Sequence, residues 1–126
     1  MEKNRPVNLD LGTIRLPITS YVSILHRASG VVLFFAVGLL LCLLDASLAS
    51  EESFNAIKET VTKPLWQVLI WGSLVALAYH MVAGIRHMIM DFGIGETLEG
   101  GQTGAKIALA VAALLILFIT AWVFAW

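Results

Sequence analysis

The chain has 126 residues, enough for one domain. It is 59% hydrophobic and 13% charged, against about 25% charged residues in a soluble domain, and its mean hydropathy is +0.86. That composition excludes a water-soluble fold and predicts an integral membrane protein. The net charge of -1, with no basic stripe, gives no footing for nucleic acid, and the single cysteine excludes an internal disulfide or a cysteine-based metal site.

Residues 1–20, "MEKNRPVNLDLGTIRLPITS", carry basic residues but no apolar core followed by a small-residue cleavage site, so they read as a retained cytoplasmic segment rather than a signal peptide. The first apolar run has no charge from Ala28 to Leu44 and extends backward as a helix through "ITSYVSILHR". Cys42 lies within it and reads as a small buried hydrophobe. The next stretch, "DASLASEESFNAIKETVTK", is acidic. Ser50 is expected to cap a short helix with Glu51 and Glu52 in its first turn and Phe54, Ile57 and Val61 on one face, lying on the membrane surface. The second apolar run is free of charge from Pro64 to Ile85. "GIGETLEGGQTGA" follows, with five glycines in thirteen residues; it predicts a mobile connector and, lacking Gly-Lys-Ser/Thr, no phosphate loop. The third run, Ile107 to Trp126, is again free of charge.

About 20 helical residues cross a hydrocarbon core of about 30 Å. The runs do not alternate as barrel strands do. The predicted architecture is all-α: one membrane-anchor domain over 1–126 with transmembrane helices at about 21–45, 64–88 and 106–126. Lys3, Arg5, Arg15, Arg27, Arg86 and Lys106 fall on one side of these spans and only Lys58 and Lys63 on the other. The excess of basic residues places the N-terminus and second loop inside and the C-terminus outside. Trp66 and Trp126 then share the outer interface, as an aromatic belt does.

Antiparallel packing of the first two spans brings Ser23, His26, Arg27, His80, Arg86, His87 and Asp91 to one end. His80, Gly84, His87 and Asp91 form one helical stripe, continued by Gly72 and Ala76, and Ser23, His26, Arg27 and Gly30 form another. The small residues leave a shallow trough beside His80. The trough serves either close helix packing or a flat macrocycle standing against the helix, and spacing alone leaves both open. His80 lies well inside the apolar run, where an unpartnered imidazole is costly. It reads either as an axial ligand to haem iron or as a histidine hydrogen-bonded to a serine or threonine of a neighbouring helix. His87 beside Arg86 fits a water-boundary pair, Arg86 can snorkel to the interface, and Asp91 can pair with Arg86 or cap the helix end. With one histidine at depth, and His26 and His87 shallower, a second axial ligand is expected from a partner chain.

"RPVNLDL", "SILHRASG" and "HMVAGIRHMIMDFG" together resemble the cytochrome b membrane anchor of succinate dehydrogenase (succinate:quinone oxidoreductase, respiratory complex II). The matching patterns are Arg5-Pro6, Ser23 to Ser29, and His80 to Gly93, and the likeness covers the whole chain. The resemblance implies that His80 is one axial ligand of haem b and that a histidine of the second small membrane-anchor subunit is the other. It implies that Ser23 and Arg27 line a quinone site facing the iron–sulfur subunit and that His26 and Arg27 contact the haem propionates. Arg86, His87 and Asp91 would stand around these groups, and "RPVNLDL" would pack under the iron–sulfur subunit. Electrons would come from succinate through the flavoprotein and iron–sulfur subunits, and the chain would not catalyse alone. The short start resembles the bacterial version, implying a multi-pass protein of the inner (cytoplasmic) membrane with its C-terminus in the periplasm. Three rivals stand beside this reading: a fumarate reductase anchor, a structural anchor without redox chemistry, and a channel or transporter, for which the third span offers almost no polar lining.

Overall fold

The computed structural model describes residues 6–125. Lys3, Arg5 of the Arg-Pro pair, and Trp126 of the expected belt lie outside the described residues. The described chain is helical throughout its regular structure, as the sequence predicts: α1 (Ile18–Leu48), α2 (Glu51–Val61), α3 (Pro64–Asp91) and α4 (Leu98–Val123). Of these, α1, α3 and α4 are long and apolar enough to cross a membrane. Their 31, 28 and 26 residues give lengths of about 46, 42 and 39 Å at about 1.5 Å per residue. α1 runs past its charge-free stretch at both ends, α3 past its C-terminal end and α4 past its N-terminal end, while α4 stops at Val123, because backbone hydrogen bonding does not stop or start where hydrocarbon does.

The ends follow local chemistry. Pro64 opens α3 at its first turn, where a missing N–H costs nothing. Ser50 caps α2 as expected, its side chain accepting from the Ser53 N–H at 3.0 Å, with Glu51 and Glu52 in the first turn. Phe54, Ile57 and Val61 of α2 face Leu43, Leu44 and Ser47 of α1 across a shallow groove. The Ser53 hydroxyl donates to the Ala46 carbonyl at 2.7 Å, so α2 is fastened to the end of α1. After α3 the chain turns through Gly93 (φ +81°) and Gly95 (φ +75°), left-handed conformations that glycine adopts without strain.

The glycine-rich stretch is not the mobile connector its composition predicts. From Leu98 it belongs to α4. The Thr97 hydroxyl caps that helix by accepting from the Gly100 N–H at 3.0 Å, and Glu99 lies in the first turn. A Cβ on Gly100 would stand 2.9 Å from Thr97 Oγ1 and 3.0 Å from Gly95 Cα. Glycine is there to let two backbones approach.

Small residues carry the contacts among α1, α3 and α4. Ser29 and Ala36 of α1, Ser73, Ala76, Ala78 and Ala83 of α3, and Ala105, Ala108 and Ala112 of α4 are buried. Phe34, Phe35, Leu114, Leu117 and Phe118 point outward. This is the inverse of a soluble core, and it follows because hydrocarbon solvates large apolar side chains as well as a neighbouring helix does. Cys42 is likewise exposed rather than buried. Val22, Ala83 and Ala105 join the three helices near the α1 N-terminus, with Ile18, Tyr79 and Leu109 packed around them. Two hydrogen bonds tie the bundle at opposite ends: Tyr79 Oη donates to the Val22 carbonyl at 2.8 Å, and Trp71 Nε1 to Thr120 Oγ1 at 2.9 Å.

Candidate functional site

The antiparallel pair α1 and α3 places the two polar stripes side by side. The imidazoles of His26 and His80 stack with centroids 4.1 Å apart and planes inclined by 15°. The His87 ring, exposed at the end of the stripe, lies 5.9 Å from His26 and is tilted by 55°. His26 thus stands directly against His80 across the two helices. Two glycines make the room. A Cβ on Gly84 would come to 3.4 Å from His26 Nε2, and one on Gly30 to 3.2 Å from His80 Cε1. The space left by these two glycines is filled by imidazole rings, His80 against Gly30 and His26 against Gly84. Around Gly38 and Gly72, farther along the two helices, a Cβ would meet nothing within 4 Å.

His80 is held through one nitrogen. Its Nδ1 lies 3.0 Å from Ser29 Oγ and 3.1 Å from the His26 carbonyl oxygen. The Ser29 hydroxyl donates its own hydrogen to that carbonyl at 2.7 Å. With the hydroxyl turned to that carbonyl, both groups around Nδ1 act as acceptors, an arrangement that matches the tautomer with its proton on Nδ1. Nε2 has no hydrogen-bond partner among the described residues. Of the two readings of His80, the structure shows the hydrogen-bonded one: Nδ1 meets a serine and a backbone carbonyl of the neighbouring helix. A ring N–H donated to a backbone carbonyl is the usual arrangement behind a ligating histidine.

His26 supplies a second signal. Its Nε2 is buried without a hydrogen-bond partner, and an orphaned buried polar atom marks a place where a further group is expected. Ser23, half-buried, and Arg27, exposed, stand on the same stripe of α1, and neither side chain has a hydrogen-bond partner among the described residues.

The remaining candidates part company. Arg86 turns to α4, where its Nη2 donates to the Gly101 carbonyl at 3.2 Å. It lines an apolar cleft of about 710 Å³ between α3 and α4 with Ile85, Ile89, Glu99 and Ile107. Asp91 is exposed, and among the described residues no ion pair joins it to Arg86. Ser29 and Tyr79 went without a role in the sequence reading. The signal for Ser29 was present, since its position three residues after His26 puts both on one helix face.

The family model described as succinate dehydrogenase/fumarate reductase transmembrane subunit matches residues 1–121. The succinate dehydrogenase cytochrome b556 subunit of Coxiella burnetii is 36% identical over 124 residues, covering 98% of this chain and 99% of its own length. The protein of the same name from Paracoccus denitrificans is 31% identical over 92% of this chain and 94% of its own. The succinate dehydrogenase cytochrome b560 subunit of Reclinomonas americana is 33% identical over 98% and 88%. With three membrane-length helices, a histidine pair between two of them and a match over nearly its whole length, the chain belongs to the succinate dehydrogenase/fumarate reductase transmembrane subunit family.

Proposed function

We propose that this chain is the haem-b-binding membrane anchor of a bacterial succinate:quinone oxidoreductase and forms part of its quinone-reduction site. The observation that supports the reading is His80, whose Nδ1 is held by Ser29 Oγ and the His26 carbonyl of α1 while its Nε2 has no hydrogen-bond partner among the described residues. The residues fit the group: His80 Nε2 would hold the iron, and the orphaned His26 Nε2 and the Arg27 guanidinium would meet the propionates. When bound, haem b supplies a one-electron redox centre within the membrane. A histidine of the second small membrane-anchor subunit would supply the other axial bond.

The quinone is a substrate, and its carbonyl oxygen gains negative charge on reduction. Arg27 supplies a permanent cation to that oxygen, and Ser23, four residues before it on the same helix face, supplies a hydroxyl donor. Such groups act most strongly where water is excluded. Guanidinium does not release its proton, so Arg27 stabilises charge while Ser23 or bound water passes protons. Arg86 is assigned instead to holding α3 against α4, and His87 and Asp91, both exposed, to the surroundings of the site. Succinate oxidation and the flavin and iron–sulfur centres belong to the flavoprotein and iron–sulfur subunits. The N-terminus lies in the cytoplasm, as the distribution of basic residues favours, and the site then draws protons from that side.

The test is the reduced-minus-oxidised optical spectrum of the purified complex. His80→Ala is expected to shift or abolish the haem band, and an unchanged spectrum would contradict the ligand assignment.

A further inference from the structure

Ser29 is buried, yet neither haem ligation by His80 nor the quinone site requires its hydroxyl. A helix serine in an apolar surrounding can satisfy itself on a carbonyl of the preceding turn, and Ser73, equally buried on α3, does only that, donating to the Leu69 carbonyl at 2.8 Å. Ser29 makes the same kind of bond, to the His26 carbonyl at 2.7 Å, and in addition presents its oxygen to His80 Nδ1 at 3.0 Å. Its own hydrogen bonding does not need the second contact. The contact acts on His80.

We propose that Ser29 is a positioning residue for the iron-ligating imidazole: its oxygen, with the His26 carbonyl, locks His80 in the Nδ1–H form, fixes the rotation of the ring, and tunes how strongly Nε2 donates to iron. The proposal rests on the assignment of His80 as the axial ligand. An acceptor at Nδ1–H makes the opposite nitrogen more basic, and outer partners of this kind typically change metal affinity or activity by about 10–100-fold. A more basic imidazole favours ferric over ferrous iron, so Ser29 lowers the haem midpoint potential. No water competes for the contact, because the serine is only 8% exposed.

The experiment is a redox titration of the haem, with haem content per flavin, in the whole purified complex carrying Ser29→Ala, Ser29→Thr, Ser73→Ala or His80→Ala. Ser29→Ala is expected to keep a haem band but raise its midpoint. A tenfold loss of preference for ferric iron corresponds to about 59 mV for a one-electron couple. Ser29→Thr, which keeps the hydroxyl, restores the wild-type midpoint, and Ser73→Ala leaves it unmoved. A wild-type midpoint in Ser29→Ala overturns the proposal, as does an equal shift in Ser73→Ala. If Ser29→Ala does not assemble, Ser29→Cys, whose sulfur is a weaker acceptor, must raise the midpoint in the same direction, and an unshifted value there overturns it equally. His80→Ala separates the two levels: an unchanged spectrum in that variant sinks the ligand reading itself, whereas a changed spectrum with an unmoved Ser29→Ala midpoint sinks only the role of Ser29.

Discussion

Substituting Gly30 by alanine tests the trough directly. The new Cβ would lie 3.2 Å from His80 Cε1 and 3.7 Å from its Nδ1. The first distance is shorter than ordinary carbon contact by about 0.3–0.5 Å, so the ring must retreat from α1 by that amount. Its two anchoring bonds, 3.0 Å to Ser29 Oγ and 3.1 Å to the His26 carbonyl, then stretch to about 3.3–3.6 Å, past the usual range of a hydrogen bond. Losing both costs about 1–3 kcal/mol. Against this stands the gain of alanine over glycine in a helix interior, about 1 kcal/mol. The two cancel at the low end of that range and leave a net loss of up to about 2 kcal/mol at the high end, all of it falling on the imidazole. The assay is haem content per flavin and haem midpoint potential of the purified complex, alongside its thermal unfolding. Gly30→Ala should lose haem or shift its potential, with a fall in unfolding temperature no larger than that net loss produces. A complex with full haem and an unmoved potential would refute the claim that Gly30 sets the position of His80.

Arg27→Ala is expected to slow quinone reduction at least tenfold while succinate oxidation by an artificial dye stays largely intact; equal loss in both assays would indicate failed assembly instead. Arg86→Met removes the guanidinium bond to the Gly101 carbonyl and should lower the stability of the complex by about 1.5–3 kcal/mol without moving the haem band. A displaced band with unchanged melting would show that Arg86 acts on the cofactor rather than on α4. Thr97→Ala removes the N-cap of α4 and should cost about 1 kcal/mol, read as faster amide exchange over residues 98–101; exchange equal to wild type would show that the cap does not hold this end.

The amphipathic pattern of α2, its serine cap and the three membrane-length helices were legible because each is a local property. Hydropathy, caps and proline positions act within one or two turns. The glycine spacing around His80 was legible for the same reason. What the sequence did not show was which groups hold the His80 ring, because Ser29 and the His26 carbonyl lie 51 and 54 residues away. The glycine-rich stretch misled because composition does not distinguish a glycine that loosens a chain from one that admits a neighbouring backbone, and Gly100 beside Gly95 is the second kind.

By itself, then, the sequence determined that this chain lives in a membrane, how many times it can cross, and which chemical groups it carries below the surface. Tertiary structure decided how each helix is rotated about its axis. That choice stacks His26 on His80, brings Ser29 to the ring nitrogen, and sends Arg86 to α4. The physical reason is that lipid gives large apolar side chains no preferred direction, so hydropathy leaves the rotation unspecified. Close approach of small residues such as Ala83 and Ala105, with a few interhelical hydrogen bonds, fixes it.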